Sequence, residues 1–279
     1  MQKTINTQGN LKINYSIKKV SPNFIVFLHG LGGDLAVWDP FAAGLNKQGF
    51  STIAVDIRGH GLSGRPTLKS DYSPASCAED IHKVIVKEKV KDFIIIGHSY
   101  GGIVAANFYA KYPSLARAYI FIATRFRSPR ILSMLGPAYF LINRILSKKN
   151  PSPIAGHRNF DTFLGTWDYD LKRIYDDMKH ASMCSWMYTF ENLSGLDVTQ
   201  TVCQIKKPVL VILGGKDTIA SVKATKVKSE NAKLEIIRDA NHMVVVNNKE
   251  ELAKKILAFV DLVYLRKSKS PITLKKGGN

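Results

Sequence analysis

Gly97-His98-Ser99-Tyr100-Gly101-Gly102 separates two runs of different periodicity, and its reading decides the fold. Before it, Phe93-Ile94-Ile95-Ile96 is continuously apolar, which predicts a buried strand. After it, Ile103-Val104-Ala105-Ala106-Asn107-Phe108-Tyr109-Ala110 carries the amphipathic pattern of a helix. The residues between must hold a tight strand-to-helix turn. At such a turn Ser99 is strained and its hydroxyl stands clear of the backbone, while the flanking glycines avoid collisions with strand and helix. The turn also aims the N–H of Tyr100, at the helix N-terminus, towards the place where a negative oxygen would develop.

On the N-terminal side, residues 2 to 7 and 11 to 17 alternate polar and apolar around Gly9-Asn10, a hairpin signal. Phe24-Ile25-Val26-Phe27-Leu28 reads as a second buried strand and runs into His29-Gly30-Leu31-Gly32-Gly33. Those glycines permit close backbone approach, so the N–H of Leu31 is expected to face the Ser99 turn and to complete an oxyanion hole with that of Tyr100. A helix is predicted over 35–48, with Trp38, Phe41 and Leu45 on one face, then a strand over 52–55. In the following Asp56-Ile57-Arg58-Gly59-His60-Gly61-Leu62-Ser63, the side chains of Asp56, Arg58 and His60 could do chemistry, but a polar cluster pinning a sharp loop is the preferred role. A helix over 74–88 leads back to the Ser99 strand.

On the C-terminal side, Ala118-Tyr119-Ile120-Phe121-Ile122-Ala123 is another buried strand. Strands and helices alternate up to this point, which predicts a parallel sheet covered by helices on both faces. Residues 125–200 break the alternation. They are helical in pattern and rich in aromatics and methionines, among them Met134, Tyr139, Phe140, Trp167, Met183, Trp186, Met187, Tyr188 and Phe190. They are expected to form a helical cap over the active edge of the sheet, most of these side chains packing the cap itself. The α/β pattern resumes with Val209-Leu210-Val211-Ile212-Leu213 and Gly214-Gly215-Lys216-Asp217. A helix, the strand Leu234-Glu235-Ile236-Ile237, the loop Asp239-Ala240-Asn241-His242 and a helix from Lys249 to about Leu265 complete the core. The division is therefore a core over 1–124 and 201–265, a cap over 125–200, and a basic tail over 266–279 without apolar periodicity, expected to be disordered.

The chain has 279 residues, 45% of them hydrophobic, with a formal net charge of +18. Except at the tail the excess is dispersed, and no nucleic-acid-binding module accompanies it. It favours solubility and weak association with anionic membrane surfaces over specific nucleic-acid binding. Cys77, Cys184 and Cys203 are an odd number without metal-ligand spacing, so neither a disulfide framework nor a metal site is indicated, although a reactive Cys184 is conceivable. No apolar run reaches membrane-spanning length and no signal-peptide pattern opens the chain, so a cytoplasmic location is expected.

A serine hydroxyl needs a base within hydrogen-bond reach and an acid to orient that base. Of the histidines, His29, His60 and His98 belong to loop motifs, His82 lies on an outer helix, and His157 and His180 fall in the inserted segment. His242 alone lies between the last strand and the last helix, at the end of the sheet where the Ser99 turn emerges. Asp217 occupies the equivalent place after the preceding strand, giving the chain order Ser99, Asp217, His242. Asp197 is the competing acid.

Taken together, His29-Gly30-Leu31-Gly32-Gly33, the 56–63 loop, the Ser99 turn, Gly214-Gly215-Lys216-Asp217 and His242 resemble the α/β-hydrolase superfamily over nearly the whole chain. The resemblance implies an eight-stranded, mostly parallel sheet, a cap after the sixth strand, and acyl transfer to water through a serine ester without cofactor or metal. Some members carry the acid after the sixth strand; Thr124-Arg125 stands there, which favours Asp217. Asn241 precedes the histidine where many relatives have glycine. The first expectation is esterase or lipase-like hydrolysis of small-molecule esters, and the aromatics and methionines of the 125–200 insertion favour small to medium apolar acyl groups. The alternatives are carbon–carbon bond hydrolysis by the same residues, and a ligand-binding receptor on the same scaffold. Oligomeric state is not legible.

Overall fold

The structure is a computed structural model that describes residues 1–129, 156–225, 227 and 229–265. Its strands are β1 (Gln2–Asn6), β2 (Lys12–Lys18), β3 (Asn23–Leu28), β4 (Ser51–Val55), β5 (Asp92–His98), β6 (Ala118–Ile122), β7 (Val209–Gly214) and β8 (Ala232–Ile237). They form one sheet in the order β1-β2-β4-β3-β5-β6-β7-β8. The predicted hairpin pairs β1 with β2 antiparallel, β2 pairs β4 antiparallel, and every other pairing is parallel. The expected eight-stranded, mostly parallel architecture is present.

The α-helices are α1 (Asp39–Lys47), α2 (Pro74–Lys87), α3 (Tyr100–Lys111), α4 (Leu171–Ala181), α5 (Met183–Leu193), α6 (Thr199–Cys203), α7 (Val244–Asn247) and α8 (Lys249–Leu265). The unbroken apolar run of β5 is explained by the two layers that cover it. Phe93 and Ile95 pack in one core with residues of α2 and α3, while Ile94 and Ile96 pack in the other with residues of α1 and α8. All four are essentially inaccessible, and each such burial contributes about 1.5–3 kcal/mol. Covering both faces leaves only the strand ends open, and the carboxyl ends of β3, β5, β7 and β8 are where the candidate site lies.

Two elements differ from the sequence reading. The helix expected over 35–48 is a 3₁₀ turn over Leu35–Trp38 followed by α1, and Pro40 marks the restart of the helix. The helix expected between Asp217 and β8 is absent among the described residues, which show only a turn at 222–224. Val222, Thr225 and Val227 are β-branched and interleaved with lysine and alanine, without a helical apolar stripe, and Val222 and Val227 pack against the core from non-helical chain. Between β6 and β7 the described residues hold helices, turns and one isolated bridge, Arg127 to Asp197. Met134, Tyr139 and Phe140, like the tail over 266–279, lie outside the described residues.

Just past α2, Glu88 ties the β1–β2 hairpin to the body. It accepts from Tyr15 Oη at 2.7 Å and Lys3 Nζ at 2.9 Å, and Lys19 Nζ lies 3.0 Å away. Burial by itself pushes its carboxyl up, but the bonds from Lys3, Tyr15 and Lys19 outweigh it and hold the group at about 2. A depressed folded-state value means that the stabilisation is complete above the unfolded value of about 4.3 and is lost as pH falls towards 2. Denaturant unfolding across that window should therefore show acid destabilisation that Glu88→Gln reduces in part, the variant being about 1–2 kcal/mol less stable than wild type at pH 7. An unchanged acid slope in Glu88→Gln would assign the titration to other carboxylates.

Candidate active site

Ser99 joins β5 to α3 with φ +50° and ψ −111°, a conformation that costs a non-glycine residue of order 1–3 kcal/mol. The neighbouring backbone enforces it. A Cβ on Gly97 would lie 2.4 Å from the carbonyl oxygen of Gly101, and one on Gly101 would lie 2.2 Å from that of Leu28. The start of α3 thus sits directly on the end of β3, and only glycine permits the approach.

The carboxyl end of β7 supplies Asp217, and the loop between β8 and α7 supplies His242. His242 Nδ1 is 3.0 Å from Asp217 Oδ2, and its Nε2 is 2.9 Å from Ser99 Oγ. An ionised carboxylate can only accept, so Nδ1–H donates to Asp217 and Nε2 is left to accept from the serine hydroxyl. Asp217 Oδ1 is occupied by the N–H groups of Ile219 at 2.8 Å and Ala220 at 2.7 Å. Burial by itself pushes the Asp217 carboxyl up, but His242 and the two N–H groups outweigh it and hold the group below the usual carboxylate range. All three sequence-predicted residues therefore meet in one hydrogen-bonded chain, although Ser99 and His242 are separated by 143 positions.

Leu31 and Tyr100, the residues expected to present N–H groups to an oxyanion, both border a cavity of about 440 Å³ that Ser99 and His242 also line. Its wall is largely apolar. Trp186 and Phe190 of the inserted segment border it, whereas Trp167 is 59% exposed, Met187 is buried and Tyr188 packs against Tyr72. Arg125 also lines the cavity, its guanidinium donating to the carbonyl oxygens of Arg127 and Ile219.

The other candidates take structural places. Asp56 accepts from the N–H groups of Leu35 and Leu62 and from Asn14 Nδ2, Arg58 makes a two-pronged ion pair with Asp80, and His60 is fully buried beside His29. Together they pin the 56–63 loop. Asp197 caps Thr199 and faces the exposed Arg127, without contact to His242. Cys184 is buried, and burial pushes its thiol up, away from thiolate reactivity. Among the described residues no group of three or more His, Cys, Asp and Glu side chains could hold a metal ion, and no helix is long and apolar enough to cross a membrane.

Two residues that sequence reasoning did not place in the site hold its histidine loop. Asp168 accepts the N–H of His242 at 2.7 Å through Oδ1, and through Oδ2 the N–H and hydroxyl of Thr218 at 2.8 and 2.6 Å. His98 Nε2 lies 3.0 Å from the carbonyl oxygen of His242 and donates to it. Burial, with His242 nearby, pushes His98 down to about 3, so it is neutral. Asn241, the departure noted in the sequence, accepts from the N–H of Met243 and from Asn247 and donates to the carbonyl of Thr166 at 2.7 Å. No local signal marks Asp168, whose carboxylate finds its partners 50 and 74 positions away.

The doubly wound sheet, with Ser99, Asp217 and His242 at its carboxyl edge, has the architecture expected from the sequence. A family model of the α/β-hydrolase fold matches residues 23–152, and the chain has that fold. A stretch of 114 residues is 36% identical to 2-(acetamidomethylene)succinate hydrolase of Mesorhizobium japonicum, covering 41% of this chain and 40% of that one. Another of 98 residues is 33% identical to mouse protein ABHD8, covering 35% of this chain and 22% of the relative. The matches thus span well under half of these relatives' lengths. An esterase from Exiguobacterium antarcticum superposes with a TM-score of 0.73 at 18% identity, covering 94% of this chain and all of that one, and shares the fold.

Gly101→Ala places a methyl group where Leu28 now has its carbonyl, so α3 must move off β3 and carry Ser99 with it. The expected result is at least about a 100-fold slower reaction of Ser99 with a fluorophosphonate. Labelling at the wild-type rate would show that the turn tolerates a side chain.

Proposed function

We propose that this protein is a carboxylic ester hydrolase acting on small to medium apolar acyl groups, with Ser99 as nucleophile, His242 as general base and acid, and Asp217 as the group that orients the imidazole. The supporting observation is the continuous chain from Asp217 through His242 to Ser99, which ends on a largely apolar cavity. Ser99 Oγ attacks the ester carbonyl carbon as His242 Nε2 takes its proton. The oxyanion of the tetrahedral intermediate is held by the N–H groups of Leu31 and Tyr100. Collapse breaks the carbon–oxygen bond of the ester, and the alcohol leaves with the proton from His242. Water repeats the sequence on the acyl-serine, giving the carboxylic acid and free enzyme. No step calls on a metal or organic cofactor.

In this reading residues 125–200 act as a cap whose Trp186 and Phe190 face the acyl group. The substrate is a small-molecule ester in the cytoplasm, and the dispersed +18 charge gives at most a weak attraction to anionic membrane surfaces. Each methylene placed in an apolar wall adds about 0.8 kcal/mol, so specificity should climb along an acyl series until the cavity is filled.

The test is kcat/KM for nitrophenyl esters from acetate to palmitate, together with fluorophosphonate labelling located by mass spectrometry. Expected are labelling at Ser99, a rise and then a fall in kcat/KM with chain length, and loss of at least about 1,000-fold in kcat for Ser99→Ala and His242→Ala. Asp217→Asn should also lower turnover strongly. Labelling without turnover of any ester would favour carbon–carbon bond hydrolysis, and no labelling at all would favour a receptor.

A further inference from the structure

Both backbone polar groups of His242 are held by side chains from outside its own loop: the carbonyl by His98, beside the nucleophile, and the N–H by Asp168, from the segment between β6 and β7. Asp168 is buried, 4% exposed, and uses both carboxylate oxygens. One takes the histidine loop at His242, and the other takes the loop of the acid at Thr218, the residue next to Asp217. The distance between the imidazole and its orienting carboxylate is therefore bridged a second time, outside the imidazole–carboxylate bond itself.

Asp168 is in turn fixed by its own segment. Arg173 Nη2 donates to the Asp168 carbonyl at 2.7 Å, and Arg173 Nη1 to Asp177 Oδ2 at 2.8 Å. Asp177 also accepts from Arg158, which donates to the carbonyl of Gly32 at 2.9 Å and, through its N–H, to Asp34 Oδ2 at 2.9 Å. Asp177 rests on Gly32, where a Cβ would come within 2.5 Å of its own. One hydrogen-bonded chain, through the backbone carbonyl of Asp168 and the side chains of Arg173, Asp177 and Arg158, thus runs from the segment that holds the histidine loop to the glycine loop that carries Leu31.

We infer that Asp168 is a positioning residue of the active site, setting the spacing of the His242 and Asp217 loops, and that the Arg173–Asp177–Arg158 chain carries this alignment to the Leu31 loop. The inference rests on the serine-hydrolase reading for its kinetic consequences but not for its geometric one. Asp168→Ala deletes both acceptors. Asp168→Asn keeps the shape but turns one acceptor into a donor, so one of the two loops must release.

The experiment compares wild type, Asp168→Ala, Asp168→Asn and Ser99→Ala by steady-state kinetics on a short nitrophenyl ester, by thermal melting, and by NMR of the His242 Nδ1 proton, which its bond to Asp217 moves far downfield. Expected for Asp168→Ala is a kcat about 100-fold down with KM within about threefold of wild type, with a smaller fall in Asp168→Asn. The downfield proton should be lost or broadened in Asp168→Ala and partly retained in Asp168→Asn. Wild-type kcat with an intact downfield proton in either folded variant would overturn the inference. So would a loss of kcat in Asp168→Asn with that proton unchanged. If Asp168→Ala does not fold, Asp168→Asn decides by the same readings. If wild type and Ser99→Ala hydrolyse the ester equally, the hydrolase reading fails while the proton resonance still reports whether Asp168 sets the His242–Asp217 geometry.

Discussion

The left-handed backbone of Ser99 is the constraint on which the rest of the structure depends. A non-glycine residue at φ +50° persists only where its surroundings overdetermine it, and here they do: β5 is buried on both faces, α3 starts within contact distance of the end of β3, and the N–H of Ser99 is held by the carbonyl of Ile122 at 2.9 Å. Every neighbour of the turn is fixed by that packing. The glycine loop after β3 borders the same cavity as Ser99 because β3 and β5 are adjacent and in register, Leu28 opposite Gly97.

The other half of the site is built differently. Asp217 and His242 stand on loops beyond β7 and β8, and β8 is an edge strand with Leu234 and Ile236 half exposed. Ala240, Met243 and Val244 pack in the core on either side of His242, and polar groups add to that packing. Asp217 is fixed by two N–H groups and the imidazole, His242 by His98 and Asp168, and Asn241 by Thr166, Met243 and Asn247. Buried carboxylates that each accept several charged or N–H donors are costly to leave half satisfied, so these loops have few alternative arrangements.

The same physics explains the paired charges between β6 and β7. Arg158 and Arg173 converge on Asp177, and burial pushes that carboxyl up even with two guanidinium groups against it. Charges are seldom placed in such a setting for stability, since well-packed apolar groups often do as well. Their direction matters more than their strength: the pairs connect the inserted segment to both loops that border Ser99.

The sheet, the alternation of strand and helix, and the Ser99 turn were legible in the sequence because each depends on local periodicity. A continuous apolar run such as Phe93-Ile94-Ile95-Ile96 marks a strand covered on both faces, and glycines such as Gly97 and Gly101 mark where backbones touch. The placement of His242 and Asp217 near Ser99 was legible because they fall at the ends of periodic elements. The helix expected after Asp217 did not form, since its valines pack on the core from a non-helical chain and local periodicity is silent about that alternative. Asp168 could not be found from sequence, because an aspartate between Trp167 and Tyr169 looks like any surface acid, and its meaning lies in the N–H of His242, 74 positions away. Local pattern thus determined which elements form and which residues stand at their ends. Only the tertiary structure decided which buried donors each carboxylate would meet, because hydrogen-bond partners are chosen by distance in space, to which sequence separation is no guide.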